Sequence, residues 1–450
     1  MSQPQQNRLP VKQMISGGIQ RFFTLPDSLE VHPKIARSFK RNFFANTGDN
    51  TFWFFGESFA AYNTIMPVYF SIFTSSPLLI GLIPSIRDAC WFLPQLFLAP
   101  RVEKLDRKMP LITWLAIQER VTYLALALAA LWLPTLKPNL AVIIFLVLWL
   151  WKSIAAGLTA LPWQELIAKV IPVSHRGRYF GFSYLMGSLT RVIGASLASL
   201  VLARVVYPNN YALSFAIAFI GMSISFGFLL LNDEPAIKEE DKAEKPELPF
   251  REKISMVLLQ DRNFRAYMIS RSINYLGWMA FGFIAVYGIW RFDLPKSYSA
   301  IFAAVLSATS MIGYPLWGTI GDRFGHKRVL MLADFIWVGA LVLLYFAPSV
   351  FAIYGVFGLI GLATTGDVIG DLNLAMEFGK IEDRPTYIGM ARTLTAPMLL
   401  LAPVLAGSVV QLFDFQAMFI VSMVFALLGI LSLWQRVKEP RLNGENIVMQ

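Results

Sequence analysis

Twelve ionisable side chains stand inside long apolar stretches of this 450-residue sequence. A charged group at the centre of a bilayer costs at least a few kcal/mol unless it faces a partner or a wet cavity. Side chains in such positions are therefore the first candidates for binding, ion pairing or proton transfer. They are Glu57, Arg87, Asp88, Glu119, Arg120, Lys152, Arg191, Arg271, Asp334, Asp367, Asp371 and Arg392.

Glu57 and Lys152 occupy the positions best suited to a central site. At a rise of ~1.5 Å per residue, Glu57 lies roughly 12 Å into its stretch and Lys152 roughly 20 Å from the outer end of its own. Both therefore fall near the middle of a membrane. Two interpretations stay open: the residues pair across a cavity that binds a solute, or they form a buried ion pair that only fixes helix packing. Arg191 and Arg392 also either pack or contact the solute.

Proton transfer needs a group that gains and loses a proton easily, and a carboxyl group in apolar surroundings holds a proton more readily than one in water. Glu57 is the first candidate for proton coupling and Asp367 the second. The adjacent pairs Arg87–Asp88 and Glu119–Arg120 favour a structural role, because neighbouring residues on a helix point in different directions.

The apolar stretches predict the class of protein. Hydrophobic residues make up 56% of the chain and charged residues 15%, whereas a soluble domain carries about a quarter charged residues. Runs of about 20 residues suit membrane-crossing helices, while a transmembrane barrel would show short alternating segments. We predict an all-α polytopic membrane protein with twelve spans near 49–73, 78–99, 110–133, 139–161, 179–204, 210–231, 264–290, 297–318, 328–347, 350–377, 386–410 and 415–435.

A charged linker divides these spans into two sets of six. The predicted organisation is a basic tail (1–48), a first bundle (49–231), the linker (232–263), a second bundle (264–435) and a C-terminal tail (436–450). With the N-terminus in the cytoplasm, the loops on the other side hold only Lys137, Arg204, Arg291 and Lys296 of the 39 basic residues. The positive-inside rule thus predicts that both termini are cytoplasmic, in a multi-pass protein of the cell (inner) membrane. The first forty residues contain no apolar run, so we predict no cleaved signal peptide.

The net charge of +10 follows from this topology and from contact with the lipid bilayer, so nucleic acid is not an expected partner.

An internal duplication relates the two sets of spans. Val68–Tyr69 with Pro77 matches Val286–Tyr287 with Pro295, a spacing of 218 residues. Arg176, Tyr179 and Gly181 match Arg384, Tyr387 and Gly389, a spacing of 208 residues. Both matches place one span on the span six later in the same orientation, which indicates a six-plus-six parallel repeat.

The loop between spans 8 and 9 carries Gly318, Asp322, Arg323, Gly325 and Lys327. This spacing resembles the signature loop of the major facilitator superfamily, and the segment from Pro172 to Gly181 is similar to the family's loop before span 5. The resemblance extends over residues from about 40 to 437. It implies two six-helix bundles related by pseudo-twofold symmetry, and secondary active transport of a small solute by alternating access.

The resemblance also implies a cytoplasmic gate in which acidic side chains dock on helix N-termini. Asp322 would dock near Arg176 and Arg178, and Glu103 or Asp106 near Arg384; the first-half loop lacks the glycines, so the choice between the two acids stays open. The alternative is a permanent surface ion pair of little energy. The gate residues are Gly318, Asp322, Arg323, Gly325, Lys327, Arg176, Arg178, Glu103, Asp106 and Arg384.

In the family the solute cavity is lined mainly by spans 1, 4, 7 and 10. Here these spans carry one deep ionisable group each, and together with Arg191 and Arg392 they form the predicted substrate-binding set. The cations of this set favour an organic anion or a zwitterion. The set comprises Glu57, Lys152, Arg191, Arg271, Asp367 and Arg392.

Other functions receive less support. The sequence has no Walker-type phosphate loop, and its three histidines lack metal-ligand spacing, so we expect no ATP hydrolysis, cofactor, metal or enzyme activity. Span 5 lacks the Gly-Pro pair of the family's drug–proton antiporters, yet an exporter of amphipathic compounds stays open, as do a non-transporting receptor and a lipid-modifying enzyme. We expect a monomer whose partners are a small-molecule substrate, protons and lipid.

Overall fold

The computed structural model describes residues 33–103, 105–235, 259–379 and 384–440. The predicted tail residues 1–32, linker residues 236–258 and tail residues 441–450 lie outside this part. Within it, fourteen α-helices have defined bounds and no strand occurs. They are α1 (Pro33–Ser58), α2 (Ile65–Phe70), α3 (Pro77–Glu103), α4 (Met109–Trp132), α5 (Pro138–Val170), α6 (Val173–Arg204), α7 (Asn209–Leu230), α8 (Arg262–Gly277), α9 (Ile284–Arg291), α10 (Tyr298–Phe324), α11 (His326–Tyr345), α12 (Val350–Phe378), α13 (Arg384–Leu412) and α14 (Phe415–Arg436).

Spans 1 and 7 are broken at equivalent places. Span 1 consists of α1 and α2 with non-helical residues 59–64 between them, and span 7 consists of α8 and α9 joined through the 3₁₀ turn Phe281–Phe283. The other ten predicted spans are single helices. The predicted all-α, two-bundle fold class is confirmed.

The structure differs from the predicted spans in two respects. Ten helical segments of the described chain are long and apolar enough to cross a membrane, and spans 1 and 2 are not among them. Polar residues lower their apolar character: α1 includes Asp49 and Glu57, and α3 includes Arg87–Asp88. In addition, α1 begins at Pro33, within the segment that the sequence assigned to the N-terminal tail.

Packing within each bundle follows the same pattern. In the first bundle α1 packs on α6 and α7, α3 on α5, and α4 on α5 and α7. In the second bundle α8 packs on α13 and α14, α10 on α12, and α11 on α12 and α14. The bundles meet mainly where α3 contacts α13 and where α6 contacts α10. These two contacts are equivalent, because the six-plus-six repeat relates α3 to α10 and α6 to α13.

We call the side of the helices that holds Pro33, Pro440 and the loop at Gly325 the terminal side, and the opposite side the far side. Close packing between the bundles occurs toward the far side. A Cβ atom at Gly81 would lie 2.5 Å from the carbonyl oxygen of Pro403, and one at Gly407 would lie 2.7 Å from Cα of Leu78. These glycines allow α3 and α13 to approach at backbone distance.

Candidate functional site

A cavity of about 360 Å³ lies between the two bundles. Its wall extends from Tyr62 and Asn63 at the break in span 1 to Leu229 at the terminal-side end of α7. Aromatic side chains supply much of the wall, so the cavity offers both flat apolar surfaces and polar groups. These side chains are Trp53, Phe54, Tyr62, Trp91, Trp163, Tyr184, Phe281 and Tyr314.

The charged groups of the cavity wall all come from the first bundle. The second bundle contributes apolar and hydroxyl side chains, such as Leu306, Ser307, Ser310 and Thr364. The two walls therefore differ in chemistry although their helices are related by the repeat. The charged wall residues are Asp49, Glu57, Arg87, Glu119, Arg120 and Arg191.

Glu57 and Arg191 form an ion pair in this wall. Their closest atoms, Oε2 and a terminal guanidinium nitrogen, are 3.2 Å apart, and the arginine side chain retains 27% exposure. The guanidinium also lies 4.1 Å from the centre of the Phe54 ring. The approach of α6 to α1 depends on Gly194, where a Cβ would lie 2.1 Å from Ser58 Oγ. Glu57 thus pairs with Arg191 rather than with Lys152.

Lys152 is buried, with 4% exposure, and its Nζ lies 5.5 Å and 5.2 Å from the ring centres of Tyr123 and Trp149. Among the described residues, no carboxylate oxygen lies within 4.0 Å of this Nζ. A void of about 10 Å³ adjoins it, lined by Trp53, Glu57, Arg87, Trp91, Lys152, Ser153 and Ala156.

A third charged cluster of the first bundle centres on Arg120. Its guanidinium lies 3.0 Å from Glu119 Oε2, donates to Ser225 Oγ at 3.0 Å and lies 4.0 Å from Asp49 Oδ1. Asp49 accepts further hydrogen bonds from Ser225 (2.6 Å) and Trp163 (3.2 Å). Sequence reasoning missed Asp49 because it placed this residue at the start of span 1, whereas α1 begins sixteen residues earlier at Pro33.

Arg271, Asp367 and Arg392 do not line the described cavity. They belong to an ion network inside the second bundle, centred on Asp371. Arg271 lies 2.7 Å from Asp367 and 2.9 Å from Asp371, and Arg392 lies 3.3 Å from Asp371. The Tyr267 hydroxyl donates to Asp371 at 2.6 Å. The sequence pointed to these residues individually and did not single out Asp371 as their common partner.

The comparison with known families settles the class. A family model described as Major Facilitator Superfamily matches residues 51–289 and 267–447, one match for each bundle. The chain belongs to the major facilitator superfamily. Membership makes it a membrane transporter of the secondary type rather than an enzyme.

Solved structures of superfamily transporters share the fold. A nucleoside transporter matches with a TM-score of 0.66 at 15% identity, covering 88% of this chain and 100% of that one. A D-xylose–proton symporter matches with 0.68 at 14% identity, covering 89% and 98%. A bacterial homologue of the human lysosomal transporter Spinster, in an inward-facing and unoccupied conformation, matches with 0.64 at 14% identity, covering 90% and 98%. A search of curated proteins by sequence finds no match.

The superfamily signature loop forms a tight turn between α10 and α11. Gly325 adopts φ +90°, a conformation that favours glycine, and a Cβ there would lie 2.5 Å from Glu439 Oε2. Asp322 and Arg323 are exposed, and Lys327 Nζ donates to the carbonyl oxygens of Trp434 (3.1 Å) and Val437 (2.6 Å). Gly318 has open space around it.

The predicted docking of Asp322 near the start of α6 is not formed in this conformation. The Arg176 guanidinium instead donates to the carbonyl oxygens of Ile171 (3.1 Å) and Ala168, and Arg178 is exposed. In the first-half loop Asp106 is exposed and its carbonyl oxygen accepts from Lys169. Glu103 ends α3 and Arg384 begins α13, and the side chains of both lie outside the described part. The gate stays a prediction.

Two glutamates that sequence reasoning missed join span ends on the terminal side. Glu234, after α7, accepts from the backbone N–H groups of Lys108 (2.8 Å) and Met109 (2.9 Å), and lies 2.9 Å from Lys169 Nζ. Glu439, after α14, accepts from the N–H of Lys327 at 3.3 Å. A Glu-Pro pair follows span 6 and span 12, so the sequence contained a signal for both.

Proposed function

We propose that the chain is a proton-coupled secondary transporter of a small organic anion or zwitterion, working by alternating access. The observation that carries the proposal is the Glu57–Arg191 pair, which stands in the cavity wall with the arginine partly exposed. An anionic group of the solute would compete with Glu57 for Arg191. Solute binding and the state of the Glu57 carboxyl would then be linked.

The charge balance around the cavity supports a solute of this class. The cations Arg87, Arg120, Lys152 and Arg191 stand against the anions Asp49, Glu57, Asp88 and Glu119. Three of the cations have an acidic partner within 3.2 Å, whereas Lys152 has none within 4.0 Å among the described residues. A site with separated, partly engaged charges of both signs favours a zwitterion or an anion over a cation.

Glu57 is the proposed proton-coupling residue, and Asp367 is the second candidate. Asp367 lies in the ion network of the second bundle with 19% of its side chain exposed, and it is not part of the wall of the described cavity. Arg271 and Arg392 would then act on Asp367 and Asp371 rather than on the solute.

The proposed conformation is open on the terminal side. The two bundles pack closely toward the far side at Gly81 and Gly407, while the cavity wall reaches Leu229 near the terminal side. With both termini in the cytoplasm of the inner membrane, this state faces inward. The exposed Asp322 fits a gate that closes when the bundles rock together on that side.

The test is proton movement in proteoliposomes. Addition of a coupled solute to the wild-type protein is expected to change the internal pH, and Glu57→Gln, which cannot exchange a proton, is expected to abolish that change while the vesicles stay sealed. Glu165→Gln, which alters an exposed glutamate of α5 outside the cavity wall, serves as the matched control. A Glu57→Gln variant that retains the full pH response would contradict the coupling role.

A transporter of amphipathic compounds is the second candidate, supported by the aromatic cavity wall. The same vesicles distinguish the two candidates when organic anions, zwitterions, sugars and amphipathic cations are compared. A response confined to amphipathic cations would favour the second candidate.

A further inference from the structure

The void beside Lys152 is a separate compartment of the cavity. It shares Trp53, Glu57, Arg87, Trp91 and Ala156 with the main cavity wall, and it adds two residues of α5, Lys152 and Ser153. We infer that Lys152 and Ser153 form a subsite for the carboxylate group of the solute, whose planar apolar body lies against the aromatic wall of the main cavity. This inference rests on the proposed function and names its substrate class.

Two buried hydrogen-bond donors line this compartment. Ser153 is 2% exposed and its Oγ has no hydrogen-bond partner among the described residues. Lys152 is 4% exposed, its Nζ lies 5.5 Å and 5.2 Å from the ring centres of Tyr123 and Trp149, and among the described residues no carboxylate oxygen lies within 4.0 Å of it. Burying an amino group or a hydroxyl without a partner is costly, so a ligand that accepts from both has a favourable place to bind.

The volume of the compartment limits the size of the group that can enter it. A volume of about 10 Å³ is near the minimum for one water-sized atom. One oxygen atom of an anionic group fits, and a planar carboxylate can place one oxygen there while the rest of the solute stays in the main cavity. Arg87, which lies 2.8 Å from Asp88 and 4.3 Å from the Tyr62 ring centre, places a second cation at the same compartment.

The residues around the compartment indicate which apolar group of the solute fits next to the carboxylate. Trp53 and Trp91 line both the compartment and the main cavity, and Tyr62 lines the main cavity nearby. A planar ring one or two bonds from the carboxylate would lie against these side chains. Glu57 lines the same compartment but pairs with Arg191. If Glu57 were to pair with Lys152 instead, Lys152 would not respond to the charge of the ligand.

The test uses the purified full-length protein in detergent and a ligand series with one ring: indole-3-acetate, its neutral amide indole-3-acetamide, and the cation tryptamine. Binding is measured by titration calorimetry. The wild-type protein is expected to bind the carboxylate about 10- to 100-fold more tightly than the amide, as for a charge-assisted hydrogen-bonded contact. Lys152→Gln is expected to remove this preference, and Ser153→Ala to reduce it several-fold.

Lys137→Gln, at an exposed lysine before the same helix, is the matched control and should keep the preference. If the Lys152→Gln variant still binds the amide, the variant is folded. If the Lys152→Gln variant does not fold, Ser153→Ala tests the subsite. The inference is overturned if the wild-type protein binds none of the three ligands, or if it binds the amide as tightly as the carboxylate. A Lys152→Gln variant with an unchanged preference overturns it as well.

Failure of the proposed function gives a different result. Lys152-dependent carboxylate binding without any solute-driven pH change in vesicles would reject proton-coupled transport and leave the subsite standing. A pH change that persists in Lys152→Gln would reject the subsite and leave transport standing.

Discussion

Arg271 contacts acidic groups of the second bundle from the centre of that bundle, with 1% exposure. It reaches Asp367 and Asp371, donates to Asn274 at 2.9 Å and lies 4.5 Å from the Tyr275 ring centre. A buried arginine with this number of partners holds α8 against α12. Removal of its charge leaves two acidic groups to share Arg392 alone.

Arg271→Met is expected to destabilise the protein by roughly 3–5 kcal/mol, because it leaves a buried carboxylate without its counter-charge. Thermal unfolding in detergent measures the loss. Arg291→Met, at an exposed arginine of α9, should change stability by less than about 0.5 kcal/mol. An Arg271→Met variant as stable as the wild type would mean that the network serves coupling rather than packing.

The ion-pair partners of individual side chains could not be predicted from the sequence. The apolar surroundings of Glu57, Lys152 and Arg271 identified them as unusual, because a charge in an apolar stretch needs an explanation wherever it lies. Pairing, however, depends on how helices rotate and approach one another, and Gly194 brings α6 to α1 so that Arg191 reaches Glu57. Sequence spacing along a single helix carries no information about that rotation.

At the scale of elements, the glutamates that follow α7 and α14 make equivalent contacts, but the charged groups next to them differ. Glu234 lies beside Lys169, whereas Glu439 lies near Glu377, which is 2.6 Å from His326 Nδ1. Burial and the neighbouring Glu377 raise the pKa of Glu439 above its usual 4.5. The contact made by Glu439 is therefore expected to depend on pH.

A raised pKa in the folded state means that folding favours the protonated acid. The stabilisation by Glu439 is full below the unfolded-state pKa and is lost as pH rises through the folded-state value. The protection factor for hydrogen exchange at the start of α11, corrected for the intrinsic pH dependence of exchange, is therefore expected to be larger at pH 5 than at pH 8. Glu439→Gln should remove this difference, and Glu234→Gln should preserve it. Identical pH dependence in wild type and Glu439→Gln would contradict the assignment.

The elements themselves were largely predictable. The apolar stretches predicted all twelve spans, ten of which are long and apolar enough to cross a membrane in the described structure, and the repeat predicted two equivalent bundles. The start of α1 at Pro33 was missed because its first turns are basic and polar, and they leave the apolar stretch while remaining helical. The break at residues 59–64 was also missed, because Phe59, Ala60 and Ala61 continue the apolar pattern through it.

At the scale of the whole molecule, α3 and α13 approach each other at backbone distance on the far side. Gly407→Val is expected to prevent this close contact, since even a Cβ would lie 2.7 Å from Leu78 Cα. The bundles should then separate on the far side. Spin labels at Leu136→Cys and Phe413→Cys in a Cys90→Ser background should report a longer distance, and solute transport should fall.

Gly339→Val is the control for that experiment, because a Cβ at Gly339 meets open space. It should leave both the distance and the transport rate unchanged. An unchanged distance in Gly407→Val would show that α3 and α13 do not limit opening on the far side.

The equal number of cations and anions around the cavity has an electrical consequence. Four positive and four negative side chains of the first bundle stand around the cavity, so with all eight ionised this group carries no net charge. Work against the membrane potential is about 2.3 kcal/mol per elementary charge at 100 mV. On the proposed function, these eight side chains add no net charge to the reorientation of the unloaded carrier, and a monocarboxylate bound together with one proton adds none to that of the loaded carrier.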